Sequence, residues 1–293
     1  MNKLLLVICL IYGGLQALNA SEALHGKGEK AITALHEFSF HSADTIIQSM
    51  ERQYPDHYLP HLTRAHYYWW KMISQESEVR KRKHYLASLE KAEKLVNQMV
   101  LDGAYDKQDV FHFINLYAMK ARLDLLNGEY RAALRHVNRC VRFLKTSLGY
   151  EENFEGFYLT SGLYNYMTDY ATGRLPLFFV YALLYPRGDM EKGIAQLNNA
   201  TRLENLIVRT EAHYFLMKIF LELEKDFMKA LPHARWLTEK YPGNLIYLYH
   251  YHQVLSLSRN ETMALDVKRA YHDILQNHNH LSPAQRNYLL QLL

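Results

Sequence analysis

Residues 227–242, FMKALPHARWLTEKYP, carry the pattern on which the fold assignment depends. An aromatic residue at 227 is followed by small or apolar residues at 230, 234 and 237 and by a proline at 242, in steps of 3, 4, 3 and 5. Residues 40–55, FHSADTIIQSMERQYP, repeat the same steps. Positions three and four apart share one face of an α-helix, and a proline disfavours continuation of a helix because it lacks the backbone N–H. Each stretch therefore predicts an amphipathic helix that ends near its last proline, Pro242 or Pro55.

A third copy lacks only the proline and runs through Tyr130, Ala133, Val137 and Cys140. From Glu22 onward apolar residues recur at helical spacing, and no stretch alternates between apolar and polar residues as a half-buried strand would. Glycine and proline residues separate these segments. The chain is therefore expected to be all-α, with helices of about 12 to 18 residues joined mostly by short turns.

The spacing resembles the second helix of the tetratricopeptide repeat. In that pattern a small residue lets two antiparallel helices approach closely, and each hairpin leaves a face that only the next hairpin covers. The resemblance implies antiparallel helix hairpins stacked into a right-handed α-solenoid, a superhelix with an insertion in its middle. A second similarity, carried by residues 162–166 and 185–189 together with the 211–244 unit, is to exported bacterial repeat proteins of unassigned role.

Residues 21–293 are expected to form this single solenoid. The predicted clear repeats are 24–57, 114–148 and 211–244, the degenerate units are 58–102, 152–205 and 245–277, and the capping helix is 281–293. An insertion at 168–187 stands where a regular repeat has a tight turn. It contains Leu175 to Leu184, the most apolar segment after the N-terminus, which is expected to pack as an inserted helix.

Residues 1–20 are predicted to be a secretory signal peptide. Lys3 precedes an apolar run, and the small residues Ala17 and Ala20 follow it. The run is shorter than the roughly 18 to 20 residues that a spanning helix needs, so we expect cleavage after Ala20 and no transmembrane span in the mature chain. Cleavage leaves Cys140 as the single cysteine, without an internal disulfide partner. The expected location is the periplasm or the exterior, with envelope association left open.

Composition and motifs argue against several classes of function. Lys and Arg number 34 and Asp and Glu 30, a net charge of +4 that is too balanced for a nucleic-acid-binding protein. No nucleophile elbow, phosphate-binding glycine loop or zinc-protease motif occurs. The 16 His residues show no metal-ligand spacing, and the run Arg80 to Lys83 is expected to be a solvated helix face. We therefore expect no enzyme activity, no cofactor and no bound metal.

The family resemblance implies an exported scaffold that binds a protein or peptide partner, here an envelope protein, through a concave groove lined by first helices. Counting along the repeats, the groove candidates are Leu62, His66, Trp69, Trp70, Asn115, Arg122, Tyr166, Tyr249 and Gln253. An alternative is a binder of glycan or cell-wall fragments, for which some of the 23 Tyr and 3 Trp residues would serve as stacking platforms. A hydrolase of unknown specificity is the third interpretation.

Overall fold

A computed structural model describes residues 22–74, 79–174, 185–278 and 281–293. Within these ranges the regular structure is helical and contains no β-strand, which confirms the predicted all-α class. The predicted signal peptide and the apolar segment from Leu175 to Leu184 lie outside the described residues.

The chain divides into two compact units, which split helix α4 between Leu95 and Val96. Unit 1 holds the described residues up to Ile73 and those from Val79 to Leu95, and unit 2 holds Ser74 and everything from Val96 onward. The helices of unit 1 are α1 (22–36), α2 (Phe40–Gln53), α3 (Tyr58–Ile73) and the first part of α4 (Val79–Asp102).

Unit 1 is built around the apolar stripe of α2. The four positions picked out by the sequence pattern, Phe40, Ala43, Ile47 and Met50, are all buried. Helix α1 packs on this core at Gly28, where a Cβ atom would lie at ordinary contact distance, 3.4 Å from Leu59 on α3 and 3.7 Å from Met50. Three helices therefore share one core, and their polar sides face outward.

Unit 2 continues with helices that pack largely in chain order. They are α5 (Lys107–Leu126), α6 (Tyr130–Leu144), α7 (Gly156–Arg174), α8 (Met190–Ala200), α9 (Leu206–Lys218), α10 (Phe227–Lys240), α11 (Leu245–Leu257), α12 (Glu261–Asn277) and α13 (Pro283–Leu290). From α7 to α13 each helix contacts the next, and α5 packs on both α6 and α7. Contacts also join α7 to α9. A 3-10 turn precedes α7, and a π turn, Ile219–Leu223, extends α9.

Two helix boundaries differ from the sequence-based expectation. The predicted unit 114–148 begins inside α5, which already starts at Lys107 behind the capping box of Asp106 and Asp109. Residues 168–174, assigned to the insertion, are the last turns of α7. Counting apolar positions does not detect a helix start that is set by a capping side chain. It also does not detect a helix that continues past the usual repeat length.

Turns between helices use left-handed backbone in two ways. Gly103 and Gly128, both expected to break helices, have φ of +66° and +74°. Phe38, Lys225 and Arg259 adopt the same region with φ of +64°, +56° and +59°, although side chains disfavour it. Phe38 tolerates this conformation because its ring is fully buried, 4.9 Å from the ring of Phe40.

Helices α7 and α8 meet at glycine residues. A Cβ atom on Gly193 would lie 2.6 Å from the backbone N of Tyr166 and 2.8 Å from the carbonyl oxygen of Gly162. Because both of these neighbours are backbone atoms, no side-chain rotation could relieve the clash. The α7–α8 hairpin therefore depends on glycine at this crossing.

We expect Gly193→Ala to destabilise the protein by about 2 to 4 kcal/mol, since the helices must separate to admit the methyl group. Gly173→Ala is the matched control in α7, because a Cβ there meets nothing within 4 Å. The control should be neutral or stabilising by up to about 1 kcal/mol through helix propensity. Urea unfolding measures both values, and equal stabilities for the two variants would contradict the proposed crossing.

Candidate functional site

Helices α2, α3 and α4 of unit 1 line an open cleft of about 880 Å³. Its walls carry Asp44 and Glu51 from α2, Arg64, Tyr68 and Lys71 from α3, and His84 from α4. The cleft therefore places acids, bases and aromatic rings around one volume.

Arg64 is the central charge of this cleft. Its Nε and Nη2 donate to Glu51 at 3.1 and 2.9 Å, and its Nη1 pairs with Asp44. Burial by itself lowers the pKa of Arg64, but these hydrogen bonds and charges outweigh burial and raise it. Because the side chain is only 12% exposed, both carboxylates are needed to offset its desolvation. The three side chains form a connected ion-pair network along the cleft wall.

Aromatic rings form another part of the cleft. Tyr68 stacks on His84 with ring centroids 5.3 Å apart and an interplanar angle of 18°. Lys71 Nζ lies 4.7 Å from the ring centroid of Phe40, an attractive cation–π distance. The cleft therefore sets the exposed His84 ring and the half-buried Tyr68 ring beside charged hydrogen-bonding groups.

The groove residues predicted on α3 do not form this cleft. Leu62 and Trp70, both predicted as groove contacts, are buried in the core of unit 1, at 1% and 7% exposure. Trp70 packs edge-on against His36 at 5.4 Å. His66 and Trp69 are half-buried, and Trp69 lies 6.0 Å from Tyr85 of α4. The cleft is lined by neighbouring positions on α3, because aromatic residues cover several sides of this helix and packing decides which side is open.

In unit 2, side chains from α5, α9 and α11 interact around one surface of α9. Glu211, Tyr214 and Lys218 follow each other at helical spacing along α9. The Tyr214 ring lies 6.3 Å from that of His250 on α11, and the charge of Arg122 on α5 acts on Glu211 and Tyr214. We call these five residues the α9 face.

Burial shapes the protonation of the α9 face. It raises the pKa of Glu211 to about 7, against the opposing effect of Arg122. Burial also raises the pKa of Tyr214 to about 12 and lowers that of His250 to about 4. At neutral pH the imidazole of His250 is therefore uncharged, and Glu211 is divided between its acid and carboxylate forms.

Some of the predicted groove residues of unit 2 do lie near the α9 face. Arg122 is exposed and belongs to it, while Asn115 is half-buried two turns earlier on the same helix. Gln253 donates from Nε2 to the Tyr249 hydroxyl at 2.8 Å, and its Oε1 lies 3.0 Å from His250 Nδ1. These contacts connect the predicted α11 residues to the α9 face.

Tyr166, also predicted as a groove contact, differs from these residues because it is fully buried. Its hydroxyl donates to Glu224, directly after the π turn of α9. In that turn the N–H of Glu224 bonds the carbonyl of Ile219 at 2.9 Å, five residues back. Turns of this type often occur at functional sites. The sequence contains no signal for this turn. Helical spacing from Glu211 could, however, have identified Tyr214 and Lys218 as residues on the same side of α9.

Two histidines pair elsewhere in unit 2. His213 Nδ1 lies 3.0 Å from His233 Nδ1, and the His213 ring stacks on Trp236 with centroids 4.1 Å apart. Burial lowers the pKa of His213 to about 3 and that of His233 to about 4, so both are neutral at pH 7. Among the described residues, no group of three or more His, Cys, Asp or Glu side chains is arranged to hold a metal ion.

Cys140 has the environment of a packed thiol. Burial raises its pKa to about 12, and Sγ lies 3.5 Å from the Ile114 carbonyl oxygen. His136, one helical turn away, instead contacts Asp124 at 2.7 Å. The reactive thiolate is therefore disfavoured at neutral pH.

No family model matches the chain, and no curated protein matches it. Where the structure describes the chain, no helix is both long enough and apolar enough to cross a bilayer.

We expect stability to fall between about pH 6.5 and 4, because several histidines are buried in the neutral form. The pKa of His36, for example, is lowered to about 3 by burial and by nearby His66. Its contribution is complete above the unfolded pKa near 6.5 and is lost as pH falls towards the folded value, because the unfolded chain then binds the extra proton. His36→Gln should reduce this loss by on the order of 1 to 3 kcal/mol at pH 4.5.

The control for that experiment is His41→Gln, since His41 is exposed on α2. Melting temperatures of the wild type and both variants, measured from pH 7.5 to about 4.5, give the slopes. Parallel curves for all three proteins would contradict a neutral, buried His36.

Proposed function

We propose that this chain is a non-enzymatic, exported scaffold of the tetratricopeptide-repeat type, and that it binds an extended segment of a partner protein on the α9 face. The observation that carries the proposal is the convergence of Arg122, Glu211, Tyr214, Lys218 and His250 from three helices on one surface of unit 2. Charged and aromatic groups fixed on helices are suited to hold a peptide in one register.

The packing order of unit 2 supports the solenoid part of the proposal. In stacked hairpins each helix packs on its partner, each second helix packs on the next hairpin, and first helices adjoin one another. The contacts of unit 2 follow this scheme. Partners within a hairpin are α7–α8, α9–α10 and α11–α12, second helices pack on the next hairpin at α8–α9 and α10–α11, and first helices adjoin at α5–α7 and α7–α9. Such an arrangement would set α5, α7, α9 and α11 side by side, where the predicted groove of the family lies.

The chemistry of the face favours a partner segment with a basic side chain near its centre. Glu211 is the acidic member, and burial keeps its pKa near 7. A Lys or Arg from the partner would stabilise the carboxylate form and become paired away from water. Arg122 and Lys218, the two cations of the face, would repel a second cation and attract an acidic or carbonyl group, which sets a charge order along the segment.

We expect peptides selected from a random displayed library on the full chain to carry Lys or Arg and to bind more tightly at pH 8 than at pH 6. The sign follows from the raised pKa of Glu211, whose carboxylate form gains population as pH rises through about 7. Glu211→Gln and Arg122→Ala should each weaken binding at least about tenfold, which fluorescence polarisation of a labelled peptide measures.

The control variant is Arg235→Ala, which removes an exposed charge from α10 in the same unit. It should leave peptide affinity unchanged. Failure to enrich any peptide, or equal affinity of the selected peptides for all three variants and the wild type, would overturn the assignment of the α9 face.

A second candidate function, the binding of glycan or cell-wall fragments, is favoured by one specific observation, the cleft of unit 1. There the stacked Tyr68 and His84 rings lie beside the ion-pair network of Arg64, Asp44 and Glu51. Aromatic faces suit the apolar faces of sugar rings, and paired planar donors and acceptors suit neighbouring hydroxyl groups.

If the cleft binds saccharides, an array of oligosaccharides should yield a ligand whose affinity falls at least about tenfold in Tyr68→Ala, because the stacking surface is removed. Tyr105→Ala, at an exposed site in the α4–α5 turn, is the control and should bind normally. Thermal shift with the identified sugar provides a second readout. Retention of full affinity by Tyr68→Ala would exclude this cleft as the sugar site.

A further inference from the structure

Helix α6 carries many basic residues, and they lie on one side of the helix. Between Tyr130 and Leu144 it contains four Arg residues and no Asp or Glu, and Lys145 follows directly. At 3.6 residues per turn, Arg131, Arg135, Arg139 and Arg142 fall within an arc of about 80° and, with Lys145, extend for about 20 Å. We call these five residues the α6 basic stripe.

The stripe faces outward because the opposite side of α6 is held in the hairpin with α5. Ala133, Val141, Phe143 and Leu144 are buried there, and the Phe143 ring stacks on Tyr117 of α5 with centroids 5.9 Å apart. Rotating α6 to hide the cations would expose this apolar side. The orientation of the charges is therefore set by core packing.

The stripe has little internal neutralisation. All five of its residues are exposed, and in the part of the chain that the structure describes, Arg131, Arg135, Arg142 and Lys145 form no ion pair. This differs from the buried Arg64, which is paired with two carboxylates. From Asn127 to Lys145 there are five basic residues and one acidic residue, a net charge of +4 that equals the net charge of the whole chain.

The turn at the start of α6 adds exposed apolar side chains. Leu125 and Leu126 end α5 and are 54% and 62% exposed, and Tyr130, the first residue of α6, is 73% exposed. Gly128 has φ of +74° in the turn between them. One end of the hairpin therefore has an apolar and aromatic tip, and the basic stripe begins at the residue after Tyr130.

We propose that this hairpin docks the protein on an anionic phospholipid membrane surface. The Arg and Lys side chains would contact headgroup phosphates, Tyr130 would lie at the level of the headgroups, and Leu125 and Leu126 would enter the acyl boundary. A lipid surface can contact both the α6 basic stripe and the apolar tip of the hairpin. A nucleic acid or a wholly polar acidic surface would neutralise the stripe but would leave the two leucines with no apolar partner, so the basic stripe and the apolar tip together favour lipid.

Vesicle flotation tests the proposal with the full chain. Wild-type protein should float with vesicles of phosphatidylcholine containing phosphatidylglycerol and should not float with phosphatidylcholine alone. The variant Arg131→Gln/Arg135→Gln/Arg142→Gln should bind the anionic vesicles roughly a hundredfold more weakly, since each basic residue near the surface contributes about a fivefold gain in affinity. Far-UV circular dichroism and melting temperature confirm that this surface variant is folded.

A charge-matched control separates the stripe from general positive charge. Arg202→Gln/Arg235→Gln/Lys240→Gln removes three exposed cations elsewhere in unit 2 and should float like the wild type. Leu125→Ser/Leu126→Ser keeps every charge and should weaken vesicle binding at least about fivefold while leaving retention on heparin unchanged. Equal losses in the two charge variants, unchanged flotation of the leucine variant, or binding to heparin without binding to vesicles would each overturn the proposal.

Discussion

Close packing at small residues is the constraint on which the rest of this structure depends. Ala43, Ala230 and Ala234 are completely buried, and at Gly193 the backbones of α7 and α8 are too close to admit even one methyl group. Once two helices meet at such a point, neither helix can rotate about its own axis without breaking the close contact. The direction of every outward side chain on those helices follows from which small residues lie between them.

This constraint explains which charged side chains are buried with partners and which are exposed. Arg64 lies against the core of unit 1, where it requires both Asp44 and Glu51. The α6 basic stripe instead lies on the side that packing leaves open, and its five side chains are exposed. Glu211 is an intermediate case, because burial raises its pKa to about 7 while Arg122 opposes that shift. Packing therefore sets whether a charge is buried with partners, as at Arg64, or exposed, as along α6.

Local patterns predicted most of the helices and several of their ends. The stripe of Phe40, Ala43, Ile47 and Met50 is buried as its spacing indicates, and Gly103 and Gly128 stand at left-handed turns. Lys225 adopts the same conformation without glycine, which no propensity could have predicted. The start of α5 was also missed, because the capping carboxylate of Asp106 rather than an apolar position sets it. Local sequence therefore predicts a helix better than it predicts the turn that ends it.

The sites were harder to predict than the helices. Spacing placed Arg122 and Gln253 at accessible positions, but it also selected Leu62, Trp70 and Tyr166, which are buried. Helix α3 carries large side chains around most of its circumference, so periodicity alone cannot tell which of them face a neighbouring helix. The pKa of Glu211 is raised by burial among the surrounding helices. Neither the composition of the chain nor the spacing of its residues indicates this shift.

By itself, the sequence determined that this chain is all-α, where most of its helices lie and which stripe of α2 is buried, because these follow from the period of the helix and from residues within a few turns of one another. Only the tertiary structure decided that Trp70 is covered, that Arg64 lies between two carboxylates, that Arg122 acts on Glu211, and that the arginines of α6 face outward beside exposed leucines. Those properties depend on which helices pack together, and packing joins residues that are far apart in the chain.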